Sequence, residues 1–201
     1  MPNVVHRARV WVIDEIAKDF DLLDAWDLPV EGGADDFTAF LDAIGAFDPL
    51  RDGPWLARFL FHVRLRLGRI MHLDDTDKTR AIPGSRDTTL ASRVPAALSA
   101  TSDHVPVSRT LIGAGARPLY VTDDEAALEI SNDTVHGVLL IGWVKQRDGR
   151  YRGRLAIYVK PRGLLGRLYV MAITPFRYLV VYPGIIRTIG RTWETHRTRT
   201  T

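Results

Sequence analysis

"VHGVLLIGWVKQRDGRYRGRLAIYVK" (residues 135–160) carries two runs of strand character on either side of one turn signal, Asp148-Gly149. Asp-Gly suits a two-residue type I′ hairpin, because both turn positions need φ > 0. Such a turn sets Arg147 opposite Arg150, and the pairing can be walked outward from there. Val144, Gly142, Leu140 and Val138 then share a face with Gly153, Leu155, Ile157 and Val159. The other face carries Lys145, Trp143, Ile141, Arg152, Arg154, Tyr158 and Lys160, with Trp143 set against Arg154 as a cation–π pair. The first face is clean and apolar and is expected to point inward. The same alternation puts His136 at the end of that inner column. It reads either as a hydrogen-bonded core histidine or as an imidazole that orients a ligand or moves a proton.

Upstream, "LLDAWDLPV" (22–30) reads as a first strand ended by Gly32-Gly33. "DDFTAFLDAIGAF" follows with Phe37, Phe40, Leu41, Ile44 and Phe47 on one helical stripe. Pro54 opens a second helix whose stripe is Trp55, Phe59, Val63, Leu67 and Ile70. Residues 74–106 are rich in Ser, Thr, Asp, Ala and Pro and predict a long loop with a short helix near "TLASRV". Strand signals then recur at 107–113, 118–123, 126–132, 135–146 and 151–160. The expected organisation is an N-terminal lead-in over 1–20, one domain over 21–192 and a flexible tail over 193–201.

The apolar stretch "GLLGRLYVMAITPFRYLVVYPGII" (163–186) fails as a membrane span. Arg167, Pro175, Arg177 and Pro183 cut it into short runs, whereas a span needs about 20 predominantly apolar residues. As one soluble helix, kinked at Pro175, it offers Leu164, Leu168, Met171, Leu179, Tyr182 and Ile186 to an apolar surface. Strand, two helices, a strand meander and a last helix predict an α+β fold. The order fits a helix-grip architecture, an antiparallel sheet wrapped around a long C-terminal helix.

Four segments carry a family resemblance. "GRLYVMAITPFRYLVV" resembles the G-R-x-Y-x-x-x-x-x-P-F ending of the DUF2867 family, and "ISNDTVHGVLLIGWV" is similar to its motif of acidic residues followed by His. "DAWDLPV" and "GPWLARFLFHVRLRLGRI" resemble its first strand and following helix. The resemblance covers roughly residues 20–190. It places motif positions at Asp133, His136, Gly166, Arg167, Tyr169, Pro175 and Phe176. It implies membership of the SRPBCC (START, Bet v 1-like) helix-grip proteins and a cavity for a hydrophobic ligand. Where members carry a charged residue after the His-containing segment, this chain has Gly137, Val138 and Leu139.

Charge is unevenly placed. Residues 1–53 hold 12 Asp/Glu against 4 Lys/Arg, and residues 145–201 hold 13 Lys/Arg against 2 Asp/Glu. The arginines are spread rather than clustered, which argues against nucleic acid and for mutual neutralisation of the two ends. A peripheral membrane-surface or partner-binding role for the basic third is the other reading. Cysteine is absent and the six histidines are scattered, so no disulfide framework and no metal or cofactor is expected. "IGAGARP" (112–118) lacks the helix a dinucleotide loop needs, and no serine sits in a G-x-S-x-G elbow. The charged N-terminus is unlike a secretory leader, so a cytoplasmic protein is expected. The function expected is binding of an apolar small molecule (a lipid, polyketide or cyclic metabolite) at His136, Val138, Leu140, Leu155, Ile157 and Tyr169. The alternative is a cyclase-, dehydratase- or hydrolase-type enzyme using His136 with an acidic or tyrosyl partner.

Overall fold

The computed structural model describes residues 6, 9–48, 51, 81–113, 115–132, 134–176, 178 and 182–200. The helix expected over 54–70 and loop residues 74–80 lie outside them, as do Asp133 and the side chains of Pro175 and Phe176. The described elements are α1 (Val12–Ile16), β1 (Asp21–Gly32), α2 (Phe37–Ala46), α3 (Ala96–Ser99), α4 (Arg109–Gly113), β2 (Ala116–Val121), β3 (Glu125–Ser131), β4 (Val135–Lys145), β5 (Tyr151–Pro161), α5 (Gly163–Phe176) and α6 (Tyr182–Thr200). The strands form one antiparallel sheet in the order β1-β5-β4-β3-β2. This is the mixed α+β class that the order of signals predicts.

The β4–β5 hairpin departs from the expected register by one residue. Its loop is Arg147-Asp148-Gly149, closed by the Gln146 amide on the Arg150 carbonyl at 2.7 Å. Gly149, the last of the three, is left-handed, at φ 84. That is the three-residue connection, a tight turn followed by one αL residue, rather than the type I′ turn. Asp148 favours it by accepting the Arg150 amide at 3.1 Å. Because side chains alternate with period two, the slip turns β5 over relative to β4. Trp143 stands opposite Gly153 instead of Arg154, and Leu139 and Ile141 face Ile157 and Leu155. His136, Val138 and Leu140 therefore share a face with Ala156 and Tyr158, and Leu155 and Ile157 lie on the other.

Both faces are covered. The His136 face packs against Trp11, Ile13, Ile16 and Phe20 of the N-terminal segment and against Ile82, Leu90 and Val94. Residues 11–20 of the stretch expected to be a lead-in thus supply core side chains. Composition hid this, since its apolar residues are interleaved with charges that reach solvent. The opposite face packs against Phe37, Phe40, Leu41 and Ile44 of α2 and Ile189 and Trp193 of α6. Trp193, expected in a tail, is 4% exposed and donates its indole N–H to the Glu31 carbonyl.

Two glycines let aromatic rings press on the sheet from both sides. A Cβ at Gly142 would meet the Trp11 ring at 2.5 Å, and one at Gly153 would meet Phe40 at 2.7 Å. Phe40 stacks on Trp143 at 5.1 Å between centroids, and Trp193 meets Trp143 edge-on at 6.1 Å.

One other element differs from expectation. "VSRTLIG" is not a strand; Ser108 caps α4 by accepting the Leu111 amide, and Ile112 bonds back to the Ser108 carbonyl. The C-terminal helix expected to kink at Pro175 is described as two α-helical stretches, Gly163–Phe176 and Tyr182–Thr200, with Tyr178, the described residue between them, also helical. Leu90–Arg93 forms the short helix expected near "TLASRV". No helix among the described residues is long and apolar enough to cross a membrane.

The acidic first third does neutralise part of the basic last third. Arg150 and Arg152 pair with Glu31, Arg154 with Asp27 and Lys160 with Asp19. These pairs join β5 to β1 and the turn before it.

Gly142→Val should displace the Trp11 ring, since the new γ-methyls have nowhere else to go. We expect a loss of about 1–3 kcal/mol in urea unfolding, together with faster proteolysis of the first 20 residues. Unchanged stability and protease resistance would show that Trp11 is not seated there.

Candidate functional site

Glu125, Ala127 and Glu129 alternate down β3 onto the His136 face, and both carboxylates are buried, each 2% exposed. Each is fully employed. Glu125 accepts the Val12 amide at 2.9 Å and the Ile13 amide at 3.0 Å, the orphan donors of the first turn of α1, and the Tyr120 hydroxyl at 2.5 Å. Glu129 accepts the Leu90 amide at 2.8 Å and the Thr89 hydroxyl at 2.5 Å. His136 Nε2 lies 2.5 Å from Glu129 Oε1.

The tautomer of His136 follows from its neighbours. Nδ1 lies 3.2 Å from the Arg162 guanidinium and 3.2 Å from the Ser131 hydroxyl. A guanidinium can only donate, so Nδ1 accepts and Nε2 carries the hydrogen given to Glu129. Arg162 is fixed by the Asn132 and Ala81 carbonyls and also donates to Ser131 Oγ at 3.0 Å. Phe20 closes the ring's edge at 5.6 Å. A second polar string lies on the same face, where His6 Nε2 meets the Tyr158 hydroxyl at 2.8 Å and Tyr158 donates to Asp14 at 2.8 Å.

Burial and bonding push the two glutamates in opposite directions. Burial raises Glu129, but hydrogen bonds from His136, Thr89 and the Leu90 amide outweigh it and hold the carboxyl below its usual range. For Glu125 burial wins, and its bonds to Tyr120, Val12 and Ile13 offset it only in part. Burial and the Glu125 charge in turn push the Tyr120 hydroxyl up.

On the opposite face a different polar group meets the C-terminal segment. Asp24, 2% exposed, accepts hydrogen bonds from the hydroxyls of Tyr178 and Tyr182, the latter at 2.6 Å. It stands directly across from Ile157. Around it Trp26, Ile130, Leu139 and Ile157 are only half-buried, although β4 and β5 lie at the middle of the sheet. Gly137 has no side chain to fill the space beside Ile130 and Val159.

The residues singled out from the sequence therefore divide. His136, Val138 and Leu140 are buried under the N-terminal segment, while Leu155 and Ile157 face the helices. Tyr169 and Arg167 sit on α5, half-buried and exposed respectively. Gly166 is buried against the Thr134 backbone, where a Cβ would overlap the carbonyl oxygen. Glu129, the acidic partner of His136, was legible as the fourth residue after Glu125 in "EAALEI", since two acids four apart in a strand share a face. Asp24, Tyr178 and Tyr182 carry no such signal; only the chain reversal after β5 brings them together. Among the described residues no group of His, Asp and Glu could hold a metal ion.

These features define a mixed α+β protein with buried acid-centred hydrogen-bond networks on both faces of one antiparallel sheet. A family model described as "Protein of unknown function (DUF2867)" matches residues 16–184, and the chain belongs to that family. No curated protein and no solved structure matches it.

Glu129 and Glu125 should give opposite pH signatures in urea unfolding. Glu129, depressed on folding, contributes stability above the ordinary Glu value of 4.5 that is lost as pH falls through its lower folded value. Glu129→Gln should cost about 1–3 kcal/mol at pH 7, and its deficit should shrink on acidification below 4.5. Glu125 is raised on folding, so its contribution is complete below 4.5 and is lost as pH rises through the folded value. The difference between wild type and Glu125→Gln should therefore widen as pH falls. Parallel pH curves for the two variants would contradict these assignments.

Proposed function

We propose that the protein binds an apolar small molecule on the sheet face of Leu139, Ile141, Leu155 and Ile157, beneath the C-terminal helices. The observation that carries this is the half-buried Ile130, Leu139 and Ile157, at the centre of an otherwise dry sheet. Apolar side chains at a sheet's centre are normally sealed by the covering layer. Asp24 with Tyr178 and Tyr182 supplies the few polar atoms that orient a ligand in such a site. A carboxylate acceptor suits a ligand ending in a hydroxyl or an amine. Tyr178 is 52% exposed and stands at the solvent edge of this group.

The helix-grip superfamily belongs to the same proposal. What supports it is that β1 pairs with the last strand, that helix α2 follows β1, and that α6 crosses β1 and packs on α2. In this reading the ligand face is the one that holds Leu155 and Ile157, and His136 belongs to the layer behind it.

A second reading, an enzyme, rests on the order Glu129–His136–Ser131. The acid orients the imidazole and its unprotonated nitrogen, Nδ1, faces the serine hydroxyl whose proton it would take, with Arg162 beside Ser131 Oγ to steady developing negative charge. Hydrolysis of a model ester that disappears in Ser131→Ala, with the fold intact, would select it.

For the binding reading, the neutral dye Nile red should partition into the folded protein, and native mass spectrometry of material from its own host should show a co-purifying small molecule. Ile157→Trp should fill the space and weaken dye binding at least about tenfold. His136→Leu, on the opposite face, should leave it unchanged. Loss of binding in His136→Leu with none in Ile157→Trp would reverse the assignment of faces.

A further inference from the structure

The helix α5 turns a row of large aliphatic side chains to solvent, which a helix that only seals a core does not need. Leu164, Leu168 and Met171 follow at i, i+4 and i+7 and lie within about 60° of arc on one side. They are 73%, 54% and 69% exposed. The opposite side is what meets the protein: Gly166 is buried against the Thr134 backbone, and Tyr169, Val170 and Thr174 are half-buried. The close approach at Gly166 fixes this rotation, because turning the helix about its axis would drive a larger residue into the Thr134 carbonyl.

Charge supplies the second observation. No Asp or Glu occurs between Gly149 and Trp193, while nine Lys and Arg do. The cations of β5 are consumed by Glu31, Asp27 and Asp19. Those on the C-terminal helices are different: among the described residues Arg167, Arg187 and Arg191 make no ion pair. Arg167 flanks the exposed stripe itself.

We propose that α5 is a docking face for an anionic lipid surface, with Leu164, Leu168 and Met171 entering the headgroup–acyl boundary and Arg167 at the phosphate level. An exposed aliphatic stripe beside unpaired arginines, on a helix too short to span, is the pattern of a peripheral interfacial helix. A second copy of the chain is the poorer occupant, since a two-fold contact through this stripe would bring Arg167 against its own copy. The docking face does not depend on what the sheet holds.

The test is sedimentation of the full chain with vesicles of phosphatidylcholine alone or with about 30% phosphatidylglycerol, at low and high salt. Binding is expected to the anionic vesicles at low salt and to fall by about tenfold or more in Leu164→Ser/Leu168→Ser. Arg167→Glu should cost about fivefold or more, and added salt should weaken the wild type. All three positions are exposed, so circular dichroism and melting should match wild type. The proposal is overturned by wild type that stays in the supernatant, by equal binding to neutral vesicles, or by binding that ignores these substitutions. Concentration-dependent dimerisation abolished by Leu168→Glu would assign the stripe to a second copy instead.

Discussion

Two carboxylates on one strand hold the covering layer onto the sheet. Glu125 and Glu129 lie in the dry space between β3 and the segments around α1 and Leu90, and each accepts backbone amides from those segments. A buried carboxylate without partners is far too costly to keep, so these bonds and the burial require one another. Short elements such as α1, five residues long, have no stability of their own. Their position comes from the acceptors beneath them and from Trp11, Ile13 and Phe20 on either side. Placing two acids four residues apart spaces the two anchor points along one strand face. The apolar Ala127 between them lets Leu140 fill the gap.

That arrangement also sets what His136 is. A histidine 0% exposed, with one nitrogen on a glutamate and the other on an arginine and a serine, is first of all a structural link. It ties β4 to Glu129, hence to Leu90, and ties the end of β5 to the loop before β4 through Arg162. The same contacts are what an acid–base group needs: a fixed tautomer, a charged neighbour and an oriented ring. Structure and chemistry coincide here because both require that the imidazole cannot turn.

Much of the fold was legible because it follows from periodicity. The first strand, the helix of Phe37, Phe40 and Leu41, the four-strand meander and the antiparallel class all follow from alternation and stripe. What misled was decided by single residues at the turns. Asp-Gly suits a two-residue loop and also a three-residue loop with glycine in the last position, and the two differ by one residue of register. That single residue moved Leu155 and Ile157 away from His136. Ser108, as a cap, turned a β-branched and aliphatic run into helix α4. Trp11 and Trp193 stood near the ends of the chain and looked peripheral, yet each rests on the sheet where a glycine or an aromatic neighbour makes room.

Charge shows the same dependence on tertiary placement. Counted along the sequence, the last third is strongly basic. Folded, it divides in two, because antiparallel pairing with β1 lays Arg150, Arg152, Arg154 and Lys160 beside carboxylates of the first third. The exposed ones, such as Arg150 with Glu31, add little stability, about 0–1 kcal/mol each, but together the pairs match β5 to β1 by sign as well as by shape. The helices that follow also meet β1, where Asp24 accepts the Tyr178 and Tyr182 hydroxyls, but among the described residues Arg167, Arg187 and Arg191 make no ion pair. The cations of the hairpin are thus neutralised locally, and the arginines of the C-terminal helices are not. The exposed leucines of α5 lie beside one of these arginines, Arg167.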